Sequence, residues 1–482
     1  MKRTLFLFSA FLFLTTCIKA QDNWSLEKCV AYALANNISV RQADIQARIT
    51  ALTVKLNQAG QLPDLAFNSS AGYNFGRSIN PVTNQFEDDK VFFNNYQLQS
   101  NVTLFNWFSL KHAIAASKLD KKAADAAIDK VRNDIALNVA VAYLQTLLAY
   151  EQINISEVQL KQTLSQLDLI GRRVRAGSLP ELNLTEVEAQ LARDSAALIG
   201  TQSTYQQNLI QLKALLSLDM SQPFDIEKPD VTSIPVESLA SLQPAYVYSE
   251  ALKNLPQQRV NQFRYEAAIR NIQAARASMY PTLSAFIAIG STYSGSYPDR
   301  SRPQVVNLPG YSKVSDLLVE TTPGVFDTVL TPNRLVSYPN ASYTKQVFDI
   351  NLGQRIGLNF SVPIFRNRQL RTNWDRAKLN ADNIRLQLDQ DNLNLQADIY
   401  NAYTNAVNAQ QRYLASRKAV DASQRALDFS QKRYDAGLLT TFELITNQNN
   451  LFRARLDMTS AQYEYVFRMK LLEFYKGQGL KL

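Results

Sequence analysis

The 482-residue chain is poor in the residues that do chemistry: it has two cysteines and one histidine. Cys17 falls in the leader described below and Cys29 is left alone, so neither a disulfide nor a thiolate metal site can be assembled. His112 stands alone beside Lys111, just after an apolar strand end, where a surface or interfacial role is the ordinary one. No GxSxG, no phosphate loop and no metal-spaced His or Cys cluster occurs. An enzyme therefore lacks motif support, although a barrel-borne hydrolase remains a minor alternative, and no cofactor is expected. Beyond the leader no apolar run reaches the ~18–20 residues a membrane helix needs. If the chain enters a membrane, it must do so as strands. The net charge of +9 falls to about +6 without the leader's Lys2, Arg3 and Lys19 and is scattered among acids, which is no footprint of nucleic-acid binding.

The leader, residues 1–20, has a basic start, an apolar run over 5–14 and a small-residue exit at Ala20, the pattern of a secretory signal. Lipidation at Cys17 is the alternative, but the preceding LTT puts a Thr where such sites prefer Gly, Ala or Ser.

Glycine and proline are missing from two long stretches, 107–170 and 368–436. A helix of ~65–70 residues would be ~100 Å long at ~1.5 Å per residue. Apolar residues recur at helical spacing in both, at Ile135, Val139, Ala142, Tyr143, Leu147 and Tyr150 and at Leu395, Ile399, Ala402, Tyr403 and Ala406. Each stretch runs into an Ala-Gly-x-Leu corner, RVRAGSLPEL at 173–182 and RYDAGLLTTF at 433–442. Gly177 and Gly437 sit where a helix C-terminus needs a left-handed residue. Arg173, Arg175, Lys432 and Arg433 lie in the last turns, where cations suit the helix dipole. New helices follow, at about 184–216 and 442–475, so each corner is the tip of a helical hairpin.

The corner is one of several echoes. ALANNISVR (33–41) answers ALKNLPQQR (251–259), AGQLPDLAFNSSAG (59–72) answers ASMYPTLSAFIAIG (277–290), and VTLFNWFSL (102–110) answers VPIFRNRQL (362–370). The chain reads as two copies of one unit, at 21–217 and 245–482, joined by a Pro- and Ser-rich connector at 218–244. The second copy carries about 42 extra residues, expected as a long polar loop over about 291–345 outside the membrane. Each copy should open with a helix, at about 25–58 and 249–277, closed by Pro63 and Pro281.

Between the helices lies period-two alternation. Over 345–365, Phe348, Ile350, Leu352, Ile356, Leu358, Phe360, Val362 and Ile364 share one face, opposite Asp349, Asn351, Gly353, Arg355, Gly357, Asn359 and Ser361. Tyr96, Leu98, Val102 and Leu104 alternate with Asn95, Gln97, Gln99, Asn101 and Thr103. Leu65, Phe67, Ala71, Tyr73 and Phe75 form a third set, and Leu283, Ala285, Ile287, Ile289 and Tyr293 a fourth. Four strands of about 10–16 residues exceed ordinary soluble strands and match barrel strands with one side to lipid and one to a wet lumen. A soluble sandwich is the alternative. Four strands cannot close a barrel, and eight leave a filled interior, so a pore needs three chains and twelve strands. The expected fold is thus an α+β membrane protein: a trimeric twelve-stranded β-barrel, four strands per chain, continued by a long α-helical barrel built from two internal repeats.

WSLEKCVAYALANN at the start, the Pro-punctuated strand entries, SVPIFRNRQL and the two Ala-Gly-x-Leu tips resemble the TolC-like outer membrane efflux proteins over nearly the whole mature chain. The resemblance implies a homotrimeric channel-tunnel in the outer membrane of a Gram-negative bacterium, with its helical part in the periplasm. It further implies a periplasmic adaptor and an inner membrane transporter of the RND, ABC or MFS type as partners, and drugs, metals or proteins as cargo. By the same resemblance the tips hold the gate. Glu443 matches the first of two acids in the second tip, while Thr446 stands where the second would be and Leu439 where an Arg is often found. Tyr434 matches a Tyr that helps lock the closed state, and Asn183 takes an often acidic position of the first tip. Glu443 also reads, more simply, as an acid in the first turn of a helix. A periplasmic coiled-coil scaffold would explain the helices but not the alternating strands.

Overall fold

The computed structural model describes residues 23–477 except 80–83, 89, 230 and 232–233. The leader expected at 1–20 lies outside the described residues. The chain divides into a helical unit (described residues up to 54, 115–270 and from 378) and a strand unit (55–114 and 271–377).

Helices α1 (Leu26–Asn36) and α2 (Ile38–Ala59) replace the single opening helix of the sequence reading. The break is at Asn37, whose side chain accepts from the Ser39 amide at 2.8 Å and donates to the Leu215 carbonyl at 2.8 Å. The second copy also opens with two helices, α5 (Pro244–Asn254) and α6 (Pro256–Ala277), starting before residue 249. Leu255 between them is extended, as a residue before proline prefers. The long helices are α3 (Ser109–Arg175) and α7 (Gln369–Asp435), 67 residues each, followed by α4 (Glu181–Leu216) and α8 (Thr441–Tyr475). Helix lengths in the two halves run 11, 22, 67, 36 and 11, 22, 67, 35 residues.

Two cores follow from the apolar stripes. One gathers Leu26, Cys29, Val139, Tyr143, Leu147, Leu212 and Leu216 from α1, α3 and α4. The other gathers Val247, Ala251, Ile399, Ala402, Ala406, Met469 and Leu472 from α5, α7 and α8. The connector is pinned to the first core. Trp24 pairs with Ile226 in a short parallel bridge, and the Tyr143 hydroxyl donates to the Glu227 carbonyl at 2.7 Å.

In the strand unit β1 (Ala66–Asn74), β4 (Val91–Phe105), β5 (Thr282–Ser294) and β8 (Gly353–Ser361) form one antiparallel sheet in the order β1-β4-β5-β8. Their register sets Phe67 opposite Leu98, Leu98 opposite Ile289, Ile287 opposite Ile356, Ala285 opposite Leu358 and Leu283 opposite Phe360. The apolar sets read from the alternation therefore meet on one face. The other face carries an amide ladder along β4, from Gln97 to Gln99 and from Gln99 to Asn101, each at 3.1 Å.

Two expectations fail here. Strand β8 begins only at Gly353. Residues before it fold as helical turns, Tyr343–Lys345 and Gln346–Ile350, so Phe348 and Ile350 are not strand residues and Leu352 precedes the strand. The cause is Gln346, which is fully buried. Its side-chain carbonyl accepts the Ser294 amide at 2.9 Å and its amide donates to the Ala341 carbonyl at 2.9 Å. The stretch expected as a loop instead holds a ribbon of β6 (Gln304–Thr322) and β7 (Val325–Ser337), turned at Pro323-Gly324 with Gly324 at φ +85. A small pair, β2 (Arg77–Ile79) with β3 (Phe86–Asp88), lies between β1 and β4.

Candidate functional site: the paired hairpin tips

Both corners end their long helix in the same way. At the first, the Ser178 amide donates to the Arg173 carbonyl at 2.9 Å and the Gly177 amide to Val174 at 2.9 Å. At the second, Leu438 donates to Arg433 at 2.8 Å and Gly437 to Tyr434 at 2.9 Å. These are Schellman closures, which need a left-handed residue at the glycine. Gly177 and Gly437 supply it at φ +72 and +77, with open space where a Cβ would point. Arg173 and Arg433 thus give their carbonyls to the turns, whatever their guanidinium groups do.

The helix starts differ. Thr440 caps α8 in a full capping box: its hydroxyl accepts the Glu443 amide at 3.2 Å, and the Glu443 carboxylate accepts the Thr440 amide at 2.9 Å. The Thr440 hydroxyl also lies 2.8 Å from that carboxylate. The Thr440 amide, then its hydroxyl, with Arg433 assisting, hold the Glu443 carboxyl below its ordinary pKa. The helix-start reading of Glu443 is therefore realised in the geometry. Helix α4 has Pro180 at its cap and no side-chain cap bond, and the half-buried Asn183 only returns its amide to the Pro180 carbonyl at 3.1 Å.

The two tips share one apolar cluster. Ile170 and Val187 of the first hairpin pack with Tyr434, Leu444 and Ile445 of the second, flanked by Leu179 and Leu439. Tyr434 is buried, with its hydroxyl 3.4 Å from the Thr441 hydroxyl. Leu439, at the position where the family resemblance implies an Arg, thus serves packing. Beside the cluster, α3, α7 and α8 enclose a groove of about 550 Å³ lined by Leu169, Gln166, Leu427, Tyr434, Leu444 and Gln448.

Further from the corners lies a polar knot that the sequence reading missed. The buried Asp194 of α4 accepts the Thr163 hydroxyl at 2.6 Å and the Gln190 amide at 2.7 Å. Gln190 continues to Asn449 of α8, and Arg193 donates to the Gln190 side-chain oxygen at 2.8 Å. The available signal was Gln190 and Asp194, spaced i and i+4 on the stripe that Val187 begins.

Among the described residues no cluster could hold a metal ion, and no helix is long and apolar enough to cross a membrane. The latter says nothing of a strand barrel. The arrangement offers a one-sided sheet and two tightly turned, mutually packed helical tips.

This fold is that of outer membrane channels. A solved CusC channel matches with a TM-score of 0.74 over 94% of this chain and 92% of its own, at 18% identity. The Campylobacter jejuni CmeC outer membrane channel matches with 0.71 over 95% and 86%, at 18% identity. Residues 30–217 and 336–475 match the family model for outer membrane efflux proteins, and the chain belongs to that family. Its place is the outer membrane. The pyoverdine export outer membrane protein OpmQ of Pseudomonas putida is 27% identical over 210 residues, 44% of this chain and 41% of its own. The chain spans about half the length of the curated relatives it matches.

Proposed function

We propose that three copies of this chain form a passive exit duct, the outer membrane component of a tripartite export pump. The observation that carries the reading is the four-stranded sheet, apolar on one face and polar on the other, with β1 and β8 left as edges. A sheet edge in a membrane must be paired, since lipid offers no hydrogen bonds. Pairing β8 of one copy with β1 of the next closes a ring, and twelve strands is the smallest ring of such units that leaves an open lumen. Leu352, Ile356, Leu358 and Phe360 then belong to the lipid side, with Phe348 and Ile350 above it on the helical turns.

The matching helix lengths of the two halves support an internal repeat. On this reading the long helices and their partners form the periplasmic tube, and six tips ring its far end. The tip residues Arg173, Gly177, Asn183, Arg433, Tyr434, Gly437 and Glu443 close that end and receive a periplasmic adaptor, which couples the duct to an inner membrane transporter of the RND, ABC or MFS type. Glu443 would serve as a charged ring as well as a cap. Nothing in the duct calls for catalysis, and cargo choice falls to the pump. Planar-bilayer recording tests the reading: reconstituted protein should give discrete ohmic channels, and a preparation that inserts without conductance would contradict it.

A further inference from the structure

The helical turns that replace the start of the fourth strand create a site. Residues 343–350 lie across the apolar face of the sheet and roof a pocket of about 400 Å³. Phe67, Leu98 and Ile289 form its floor from three adjacent strands, and Val347 and Phe348 its roof. Tyr96 and Tyr343 meet hydroxyl to hydroxyl in its wall. The size lies within the usual range of small-molecule pockets. Phe67 and Phe348 are 65% and 70% exposed, so the pocket opens toward whatever bathes the apolar face.

The roof is fixed. Besides the two bonds of Gln346, the Ser291 hydroxyl donates to the Val347 carbonyl at 2.7 Å, and the Asn351 side-chain amide donates to the Thr292 carbonyl at 2.6 Å. Beside the roof sits a cationic group. Asp299 is buried and accepts both oxygens' worth of bonding from Lys345, at 2.9 Å each. Arg302 stands 3.8 Å from the same carboxylate with a largely exposed side chain, and the exposed Arg300 is adjacent in sequence. Lys345 and Arg302 both face this one carboxylate, which leaves a positive surplus beside the helical turns that roof the slot.

We propose that this pocket binds one acyl chain of a phosphate-bearing outer-membrane lipid, with the headgroup at Arg300 and Arg302. The inference rests on reading the strand unit as a membrane barrel. A preformed apolar slot on the face that meets lipid has acyl chains as its neighbours, and arginine suits phosphate. The lipid would wedge the helical turns against β4 and β5, next to the edge strand β8.

Native mass spectrometry of the detergent-purified, delipidated full protein tests this, with added phosphatidylglycerol, lipid A or uncharged diacylglycerol. The expected result is one retained lipid per chain, with at least tenfold tighter binding of the phosphate-bearing lipids. Comparing phosphatidylglycerol with lipid A shows which source is preferred. Leu98→Trp, which fills the floor, should remove the adduct, and Ile289→Phe serves if Leu98→Trp does not assemble. Leu358→Trp, on the same face outside the pocket, should keep it. Arg300→Gln with Arg302→Gln should lose the preference over diacylglycerol. Equal binding by the filled variants and Leu358→Trp, or no preference for phosphate in the unaltered protein, would overturn the proposal. The same spectra count subunits, so a failed trimer reading is seen separately from a failed pocket.

Discussion

The side-chain amides of Gln190 and Asn449 bond to each other in both directions, at 2.9 and 3.1 Å, across 259 positions of sequence. The pair ties α4 of the first hairpin to α8 of the second, and Gln190 passes the connection on to the buried Asp194. Groups in one hydrogen-bond network couple by about 0.5–3 kcal/mol. Gln190→Leu and Asn449→Leu should therefore be non-additive in a double-mutant cycle on thermal unfolding in detergent. Additive effects would show that the tips are held by the apolar cluster alone.

Gly177→Val and Gly437→Val should each fray their tip. No neighbour lies within 4 Å of the added Cβ, so the damage is confined to backbone strain of about 1–2 kcal/mol at a left-handed position. Asn, which tolerates that conformation, should be milder. Hydrogen exchange at the corner amides reads the fraying. Export should fall in the Val variants while the strand unit still assembles in the membrane.

Glu443 has separable parts. Glu443→Gln keeps a side chain able to complete the capping box and removes the charge, whereas Glu443→Ala removes both. If the charge lines the narrow end, Glu443→Gln should lower cation selectivity in planar bilayers with trimer yield unchanged. The carboxyl pKa is depressed in the folded protein. Its contribution is thus fully present above the ordinary carboxylate value and lost only as pH falls through the lowered one, so selectivity should persist below pH 4.5. Selectivity unchanged by Glu443→Gln would leave the residue as a helix cap.

Leu358 and Asn359 are neighbours on opposite faces of β8. Leu358→Arg should hinder assembly, a charge at mid-bilayer on a barrel costing about 2–4 kcal/mol. Asn359→Arg should assemble nearly normally, as read by the yield of cross-linked oligomer in membranes. Equal damage would remove the distinction between the two faces.

Cys29 is fully buried, and burial pushes its thiol up to about 12, with Lys28 pulling slightly the other way. The protonated thiol is the form the fold favours, and that preference is fully present below the thiol's ordinary value and fades as pH rises toward 12. Maleimide should leave Cys29 unlabelled in the folded protein at pH 8 and label it after denaturation. Rapid labelling of folded protein would place α1 in an open arrangement.

Helices and corners were legible because their signals are long: 67 residues without proline can be little else, and a glycine after two basic residues marks the stop. Period-two alternation served for Ile356, Leu358 and Phe360, where a strand neighbour exists to confirm it. It misled for Phe348 and Ile350, since five alternating residues also fit a helical turn and the deciding bonds of Gln346 reach Ser294 and Ala341, remote or local contacts that hydropathy does not encode. The β6–β7 ribbon was hidden by Pro309, Pro323 and Pro332, which read as loop. Pro323-Gly324 was in fact its turn, and Pro332 sits where the pairing is already irregular. At the tips the glycine turns and the helix-start place of Glu443 were legible, but the Asp194 knot was not, because a buried polar residue on a helix looks like surface until its partners are placed.

The number of chains in the particle tests the central claim most directly. Mass measurement of the purified protein in detergent, by native mass spectrometry or light scattering corrected for detergent, should give three copies of the chain and no stable smaller species. A stable monomer would leave β1 and β8 unpaired in the membrane, and a stable dimer would close only a filled eight-stranded ring; either would contradict the channel.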